Sequence, residues 1–164
     1  MRKTLTITYP ADPTRTSAML ADPEYHKTRV SRVGLEDATI EVAPRGQGFV
    51  ASLSGSVDPS SLPAVAAKIV RSGVSFTVTE SWGEPAADGS RTGAYDIDVK
   101  GAPVRASATT SMAPQGETTV VTVDLDVSVT VPLVGKTIEE KAAGRIGAAV
   151  ADEEARAAAW LASH

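Results

Sequence analysis

The sequence predicts an α+β fold in which a curved antiparallel sheet wraps around one long C-terminal helix. Three observations indicate this fold. Apolar and polar residues alternate in several segments that are separated by turn signals. Two helix-start signals follow the first strand, and a proline-free amphipathic segment from about 137 to 163 ends the sequence. Because consecutive hairpins build an antiparallel meander with one apolar face, the final helix is expected to cover that face.

Size and composition limit the possible functions. The 164 residues fit a single domain, 1–164, and the absence of cysteine excludes disulfides, thiolate metal sites and cysteine nucleophiles. The net charge of -4 comes from acidic and basic residues that are mixed along the chain, so no nucleic-acid partner is expected. No segment approaches the roughly 18 apolar residues of a membrane span, and we expect a soluble cytoplasmic protein without stable membrane insertion.

The first elements are one strand and two short helices. Leucine, isoleucine and tyrosine alternate with threonine from Lys3 to Tyr9, which predicts a half-buried strand. Asp12-Pro13 and Asp22-Pro23 each combine a capping aspartate with a proline suited to the first helical position. Helices are therefore predicted near 13–20 and 23–31.

Alternating segments after Gly34 predict the remaining strands. A turn at 44–46 joins the first two, and the segment 62–70 has the apolar spacing of a short helix, which could equally be a lid. Asp88-Gly89 marks a later hairpin loop, and Pro132 ends the longest strand. The residues predicted to share strand faces are Ala38, Ile40 and Val42; Phe49, Ala51, Leu53 and Val57; Phe76, Val78 and Trp82; Tyr95, Ile97 and Val99; Val104, Ala106, Ala108 and Met112; and the alternate residues from Val121 to Val131.

One face of the final helix is apolar. It is interrupted near its middle by Glu153, while Glu140, Lys141 and Asp152 fall elsewhere on the wheel. The apolar face consists of Ile138, Ala142, Ile146, Ala149, Val150, Ala157, Trp160 and Leu161.

The order and local patterns of these elements resemble those of the START-like superfamily. The features that carry the resemblance are the β-α-α-β order, Asp22-Pro23-Glu24, the Leu62-Pro63 segment leading into Phe76-Thr77-Val78-Thr79-Glu80-Ser81-Trp82, and the closing helix. This group, also called SRPBCC, includes polyketide cyclases and the birch-pollen-allergen proteins, and the chain is most similar to a bacterial branch of unknown function. The resemblance implies a helix-grip fold with a cavity between sheet and helix. Relatives hold lipids, sterols, polyketides or hormones there, and some cyclise or hydrate them.

The inner face of the predicted sheet is short of bulky side chains. Aromatic residues make up 4% of the chain, and Ala51, Gly55, Ala106 and Ala108 occupy predicted inward positions. Small residues at these positions favour an apolar cavity of the kind that binds small molecules. The alternative is a tighter sheet with a dry, packed core.

Two carboxylates fall on apolar faces and are candidate ligand-binding residues. Glu153 must meet a cation, a hydroxyl or a ligand, or be protonated with a raised pKa, unless the helix end protrudes and exposes it. Glu80 shares a strand face with Phe76 and Trp82, where it could orient a ligand hydroxyl or act as a general base, unless a strand-end bulge turns it outward.

The other candidate ligand-binding residues are predicted from their position and type. Phe76, Trp82, Met112 and Tyr95 are predicted either as cavity walls or as ordinary core, with Tyr95 as the best hydrogen-bonding wall. His26, on the second short helix, could line the cavity mouth or lie on the surface. The aspartate pairs Asp96/Asp98 and Asp124/Asp126 are typical of solvated strand faces, so no metal is expected.

These observations support three functional hypotheses. The leading one is binding or transport of a small hydrophobic ligand, such as a lipid or polyketide-like metabolite, without a cofactor. The second is a cyclase, dehydratase or hydrolase that uses Glu80 or Glu153 as acid or base. The third is an interaction protein with a collapsed cavity; a homodimer is possible under any of them. We expect a binding protein rather than an enzyme, and no catalytic residue is assigned.

Overall fold

The structure is a computed structural model that describes residues 1–32, 35, 37–62, 64–70 and 72–164, with the backbone alone at Val65. Gly34 and Pro63, which figured in the predicted turn and short helix, lie outside the described residues. The elements in chain order are β1 Arg2–Tyr9, α1 Pro13–Leu20, α2 Pro23–Arg32, β2 Thr39–Arg45, β3 Gly48–Val57, a 3-10 turn Pro59–Ser61, α3 Ala64–Ala67, β4 Val74–Trp82, β5 Arg91–Lys100, β6 Val104–Gln115, β7 Thr118–Val129 and α4 Gly135–Ser163.

The strands form one antiparallel sheet in the order β1-β7-β6-β5-β4-β3-β2. From β2 to β7 each strand pairs with the next strand in sequence, and β1 closes against β7. The predicted α+β helix-grip fold, with two short helices after β1 and a long C-terminal helix, is therefore confirmed. No helix in the described part of the chain is both long enough and apolar enough to cross a membrane.

Aspartates begin the two short helices as predicted. The Asp12 carboxylate accepts a hydrogen bond from Arg15 N at 2.9 Å, and the Asp22 carboxylate accepts one from Glu24 N at 2.8 Å. Each satisfies an amide that has no partner within the first helical turn. Helix α1 contacts β6 and β7, and α2 contacts β2.

The first hairpin turn differs from the prediction. Arg45 pairs with Gly48, so the turn contains only Gly46 and Gln47, and Pro44 lies within β2. Gly46 has a φ of 61°, which a two-residue hairpin turn requires and glycine adopts without strain. Pro44 is tolerated because β2 is an edge strand.

The helix predicted for 62–70 is also much shorter than expected. Only Ala64–Ala67 is α-helical, and a separate 3-10 turn capped by Asp58 precedes it. The connection must return so that Val74 pairs directly with Val57. Most of its residues therefore form turns rather than a continuous helix.

The inner face of the sheet has a closed end and a wide end. At the closed end, under α1 and α2, the apolar side chains are buried. They include Tyr9, Leu20, Tyr25, Phe49, Trp82, Met112 and Val121. At the wide end, two consecutive rows of apolar side chains are only half-buried. The first row is Leu53, Val78, Ile97, Ala106 and Val127, and the second contains Phe76, Val99, Val104 and Val129.

The long helix packs over β1 and β7, at one side of the sheet. Its predicted apolar face is only partly buried, because Ala142 and Ala149 are exposed while Ile138, Ile146 and Val150 are half-buried. The fully buried positions are Gly135, Glu153 and Ala157. The helix is therefore buried at its first residue and in its C-terminal half, whereas the residues from 136 to 150 are half-buried or exposed. The two rows of half-buried side chains at the wide end of the sheet, from Leu53 to Val127 and from Phe76 to Val129, are called the apolar groove below.

Candidate functional site

A cluster of buried charges lies where α2, β4 and α4 meet. Arg29 of α2 donates from Nη1 to Glu80 Oε2 at 2.9 Å and from Nη2 to Glu153 Oε1 at 2.6 Å. A longer contact of 3.3 Å joins Arg29 Nε to Glu153 Oε2. The side chains of Glu80 and Glu153 are 4% and 12% exposed, and that of Arg29 is 20% exposed. One guanidinium thus bridges two carboxylates that water barely reaches.

Further donors surround Glu153. The hydroxyls of Tyr9 and Tyr25 donate to its Oε1 at 3.1 and 2.9 Å, and Arg156 Nη1 donates to its Oε2 at 2.6 Å. Arg29 also lies 5.1 Å from the centre of the Tyr25 ring. We call these six residues, Tyr9, Tyr25, Arg29, Glu80, Glu153 and Arg156, the Arg29 cluster. It joins β1, α2, β4 and α4 by hydrogen bonds.

The surroundings of Glu153 keep it ionised. Burial alone would raise its pKa, but the charges and hydrogen bonds of Arg29, together with Arg156 and the Tyr25 hydroxyl, lower that pKa to about 2. Burial and the adjacent Glu153 carboxylate raise the pKa values of Tyr9 and Tyr25, so both hydroxyls stay protonated and donate. Neither the raised pKa nor the solvent exposure considered for Glu153 occurs. A carboxylate held in this way is poorly suited to transferring protons near neutral pH.

Glu80 faces the inner side of the sheet because side chains alternate along β4. Its Oε1 accepts a hydrogen bond from Trp82 Nε1 at 2.8 Å, and Tyr95 stands directly opposite on β5. Burial and the charge of Glu80 raise the pKa of Tyr95. The outward-turning bulge considered for Glu80 does not occur. Tyr95 itself is half-buried, in the row between the closed end and the apolar groove.

His26 is 5% exposed, so its interpretation as a surface residue is wrong. Its Nε2 lies 2.7 Å from the Leu20 carbonyl, and its Nδ1 lies 3.4 Å from Arg29 Nη1. A neutral ring that donates from Nε2 and accepts at Nδ1 satisfies both contacts. Burial and the positive charge of Arg29 lower the pKa of His26, which agrees with the neutral form.

The other predicted site residues fall in two places. Phe76 belongs to the apolar groove, whereas Trp82 and Met112 are 2% and 1% exposed and pack in the closed end. The structure thus brings Glu153, Glu80, Tyr95, Trp82 and His26 together around Arg29, with Met112 in the same buried core as Trp82, and separates Phe76 from them. A role for any of them in ligand binding stays a prediction.

The sequence analysis missed Arg29, Tyr9, Tyr25 and Arg156 as parts of the site. A signal was present for Arg29, since it follows His26 by three residues and Tyr25 by four and therefore lies on their side of α2. The expectation that a buried Glu153 requires a cation pointed to such a residue without identifying it. The described residues contain no group of histidines and carboxylates arranged to hold a metal ion.

Comparisons with known proteins agree with this fold. A family model described as "Protein of unknown function (DUF2505)" matches residues 4–161. Among solved structures, a START superfamily protein from Mycobacterium smegmatis is 16% identical with a TM-score of 0.53, and the match covers 95% of this chain and 96% of that one. An uncharacterised protein from Rhizobium leguminosarum is 12% identical with a TM-score of 0.56, covering 100% and 97% of the two chains.

A plant enzyme has the same fold. Norcoclaurine synthase from Thalictrum flavum, solved in complex with dopamine and hydroxybenzaldehyde, is 13% identical with a TM-score of 0.52 over 100% of this chain and 87% of that one. Curated proteins provide no match to the sequence. At these identities the likenesses concern the fold, and they confirm the START-like resemblance drawn from the sequence.

Proposed function

This chain belongs to the DUF2505 family of proteins of unknown function, and from that premise we propose that it binds and carries a small hydrophobic ligand between the sheet and α4. The ligand is an apolar metabolite of the lipid or polyketide-like kind. The proposal rests on the residues of this chain that surround the apolar groove. A protein of the same fold has been solved in complex with two small molecules, dopamine and hydroxybenzaldehyde, which supports the proposal at the level of the fold.

The observation that carries the proposal is the half-burial of the apolar groove. Two rows of inward side chains remain partly exposed, and Ile138, Ile146 and Val150 of α4 are also only half-buried. Contiguous apolar surface of this kind is unfavourable in water, by about 25 cal/mol for each Å² exposed, and in folded proteins it marks binding grooves. A guest that fills the groove would remove the surfaces of both the sheet and the helix from water.

The Arg29 cluster supports a ligand that carries little charge. Arg29 and Arg156 balance Glu80 and Glu153, and nearly every donor of Arg29 already has a partner within the cluster. An ionised ligand head would have to break one of these pairs, which is costly where water is excluded. Tyr95, between the cluster and the groove, is positioned to hydrogen-bond a neutral polar group.

The enzymatic alternative has less support in the geometry. Glu153 is ionised and bridged by two arginines, so it has no proton to donate and little basicity. Glu80 is likewise occupied by Arg29 and Trp82. The collapsed-cavity alternative also has less support, because a collapsed interior would bury the two rows of the groove completely.

A cavity-filling substitution tests the proposal. Ala106→Phe adds bulk in the middle of the groove, and Ser107→Phe adds the same bulk on the exposed outer face of the same strand. The neutral dye Nile red is expected to bind the native protein saturably and to bind Ala106→Phe at least about ten-fold more weakly, which corresponds to a loss of about 1.4 kcal/mol. Ser107→Phe is expected to bind like the native protein. Native mass spectrometry of protein purified from its host should in parallel reveal a retained small molecule.

The proposal fails if Nile red shows no saturable binding. It also fails if Ala106→Phe, with an unchanged circular dichroism spectrum, binds the dye as well as Ser107→Phe does. Either result would mean that the groove does not accept a guest.

A further inference from the structure

A second concave surface lies at the opposite end of the sheet from the apolar groove. It is an open cleft of about 550 Å³, where α1 and the start of α2 approach the β2–β3 hairpin. Ser17 and Ala18 of α1 form one wall, and Val42, Pro44 and Phe49 form the other, with Arg91 at the start of β5. This volume is in the range of small-molecule sites. We call it the Arg91 cleft.

Arg91 is the charged residue of this cleft. It is half-buried, and its Nη1 donates to the carbonyl oxygens of Gln47 and Gly83 at 3.2 and 3.4 Å. Its Nε is buried without a hydrogen-bond partner, and its Nη2 makes no hydrogen bond to any described residue. Arg91 also forms no ion pair within the described ranges. Its charge is therefore only partly compensated.

The electrostatic surroundings of Arg91 agree with this description. Burial lowers the pKa of Arg91, and the charge of Glu84 offsets part of that effect. The Glu84 carboxylate is itself engaged, because its Oε1 accepts a hydrogen bond from Gln47 N at 2.9 Å. A guanidinium that has lost water without gaining a carboxylate partner is stabilised by an anion that supplies one.

We propose that the Arg91 cleft is a binding site for a small organic carboxylate. The carboxylate pairs with Nη2 of Arg91, which has no partner among the described residues, and the apolar body lies against Val42, Pro44 and Phe49. A guanidinium N–H forms a strong, charge-assisted hydrogen bond with a carboxylate oxygen. A phosphate fits less well, since its oxygens call for more donors than Arg91 and Ser17 supply.

This site is separate from the ligand groove of the proposed function. The Arg91 cleft is lined from α1 and the β2–β3 hairpin, whereas the groove is formed by rows of side chains farther along the strands. The two sites also select opposite ligands, since the groove favours neutral molecules and the cleft favours an anion. One protein could therefore carry an apolar ligand while sensing an acidic metabolite.

The test uses a matched pair of probes, 2-naphthoate and the neutral 2-naphthalenemethanol, at constant ionic strength. In ¹H–¹⁵N spectra of the native protein, 2-naphthoate is expected to shift the Arg91 Nε–H signal and the Ser17 and Gln47 amide signals saturably. The alcohol is expected to bind this site at least about ten-fold more weakly, because it lacks the charge-assisted hydrogen bonds.

Two variants separate ligand binding from a structural role of Arg91. Arg91→Met removes the cation, and Ala18→Phe keeps Arg91 but fills the cleft from an exposed position on α1. Both are expected to weaken 2-naphthoate binding at least about ten-fold. Arg105→Met, an equal charge change on the outer face of the sheet, is expected to leave it unchanged, as is Ala106→Phe in the apolar groove.

The proposal is overturned if 2-naphthoate produces no saturable shifts at these signals. It is also overturned if the alcohol binds equally well, or if folded Ala18→Phe protein binds 2-naphthoate as the native protein does. If Nile red does not bind the groove while 2-naphthoate binds the cleft, the proposed function is wrong and this inference stands. If Nile red binds the groove while 2-naphthoate does not bind the cleft, the proposed function stands and this inference is wrong.

Discussion

Arg29 of α2 donates a hydrogen bond of 2.6 Å to Glu153 of α4, across 124 positions of sequence. The same guanidinium reaches Glu80 of β4, so one side chain fixes the short helix, the sheet and the terminal helix relative to one another. The contact lies near the C-terminal half of α4, where the helix is buried. The N-terminal half is held at its start by Glu139, which accepts a hydrogen bond from Val129 N at 3.0 Å and forms an ion pair with the amino terminus of Met1. The charge cluster thus fixes the C-terminal half of the helix against α2 and the sheet.

Glu153→Gln is predicted to destabilise the protein and to change its response to acid. The pKa of Glu153 is about 2 in the folded protein against 4.5 ordinarily. A carboxyl group with a lowered pKa contributes stability that is present above its unfolded value and is lost as the pH falls toward the folded one. The difference corresponds to roughly 3 kcal/mol, gained above about pH 5 and lost between about pH 5 and pH 2. Urea unfolding at a series of pH values measures it.

Glu140→Gln is the matched control for this experiment. Glu140 is exposed on the same helix, so this change should alter stability by less than about 0.5 kcal/mol and keep the acid dependence. Equal acid dependence in the native protein and Glu153→Gln would contradict the assignment of an ionised, buried Glu153.

The sequence predicted most of the fold because local patterns are sufficient for it. The alternation of apolar and polar residues predicted the strands. The capping residues Asp12 and Asp22 predicted the bounds of the two short helices to within one residue. The need for a partner at Glu153 also followed from its place on the apolar face. The identity of that partner did not follow, because which of many arginines meets Glu153 depends on how α2 and α4 pack across the sheet. The short α3 was misjudged for a similar reason, since the pairing of Val57 with Val74 overrides helical spacing.

Arg29→Lys is predicted to be strongly destabilising even though it keeps the positive charge. A lysine ammonium is a single point charge and cannot serve Glu80 and Glu153 through separate nitrogens as the guanidinium does. One buried carboxylate would lose its cation, at a cost of about 3–5 kcal/mol. Chemical denaturation at pH 7 measures this loss.

Lys27→Arg, two residues away on α2 and exposed, is the control variant, and its stability should stay within about 0.5 kcal/mol of the native value. A native-like stability of Arg29→Lys would show that the two-carboxylate bridge contributes little.

His26 is predicted to make stability depend on pH in the mildly acidic range. Burial lowers its pKa below the ordinary value of 6.5, so the folded protein binds the proton less readily than the unfolded chain does. The stability from the neutral ring is therefore present above about pH 6.5 and is lost as the pH falls. Comparing the native protein with His26→Gln between pH 7.5 and pH 5 isolates the effect. Long-range ¹H–¹⁵N spectra should also show the proton on Nε2, and a ring that is charged at pH 6 would contradict the prediction.

Gly144→Ala and Gly147→Ala are each predicted to stabilise the protein by about 0.5–1 kcal/mol, because glycine inside a helix carries a larger loss of backbone entropy on folding than alanine does. Both glycines are exposed within α4, and a methyl group at either position would meet no atom within 4 Å. Gly93→Ala is the opposing case, since its methyl group would lie 2.3 Å from the Ser81 carbonyl oxygen and 3.0 Å from the Trp82 ring. That variant should be destabilised, and thermal unfolding compares all three. A loss of stability in both helix variants would mean that the solvent-facing side of α4 at Gly144 and Gly147 packs against something in solution, such as a second copy of the chain.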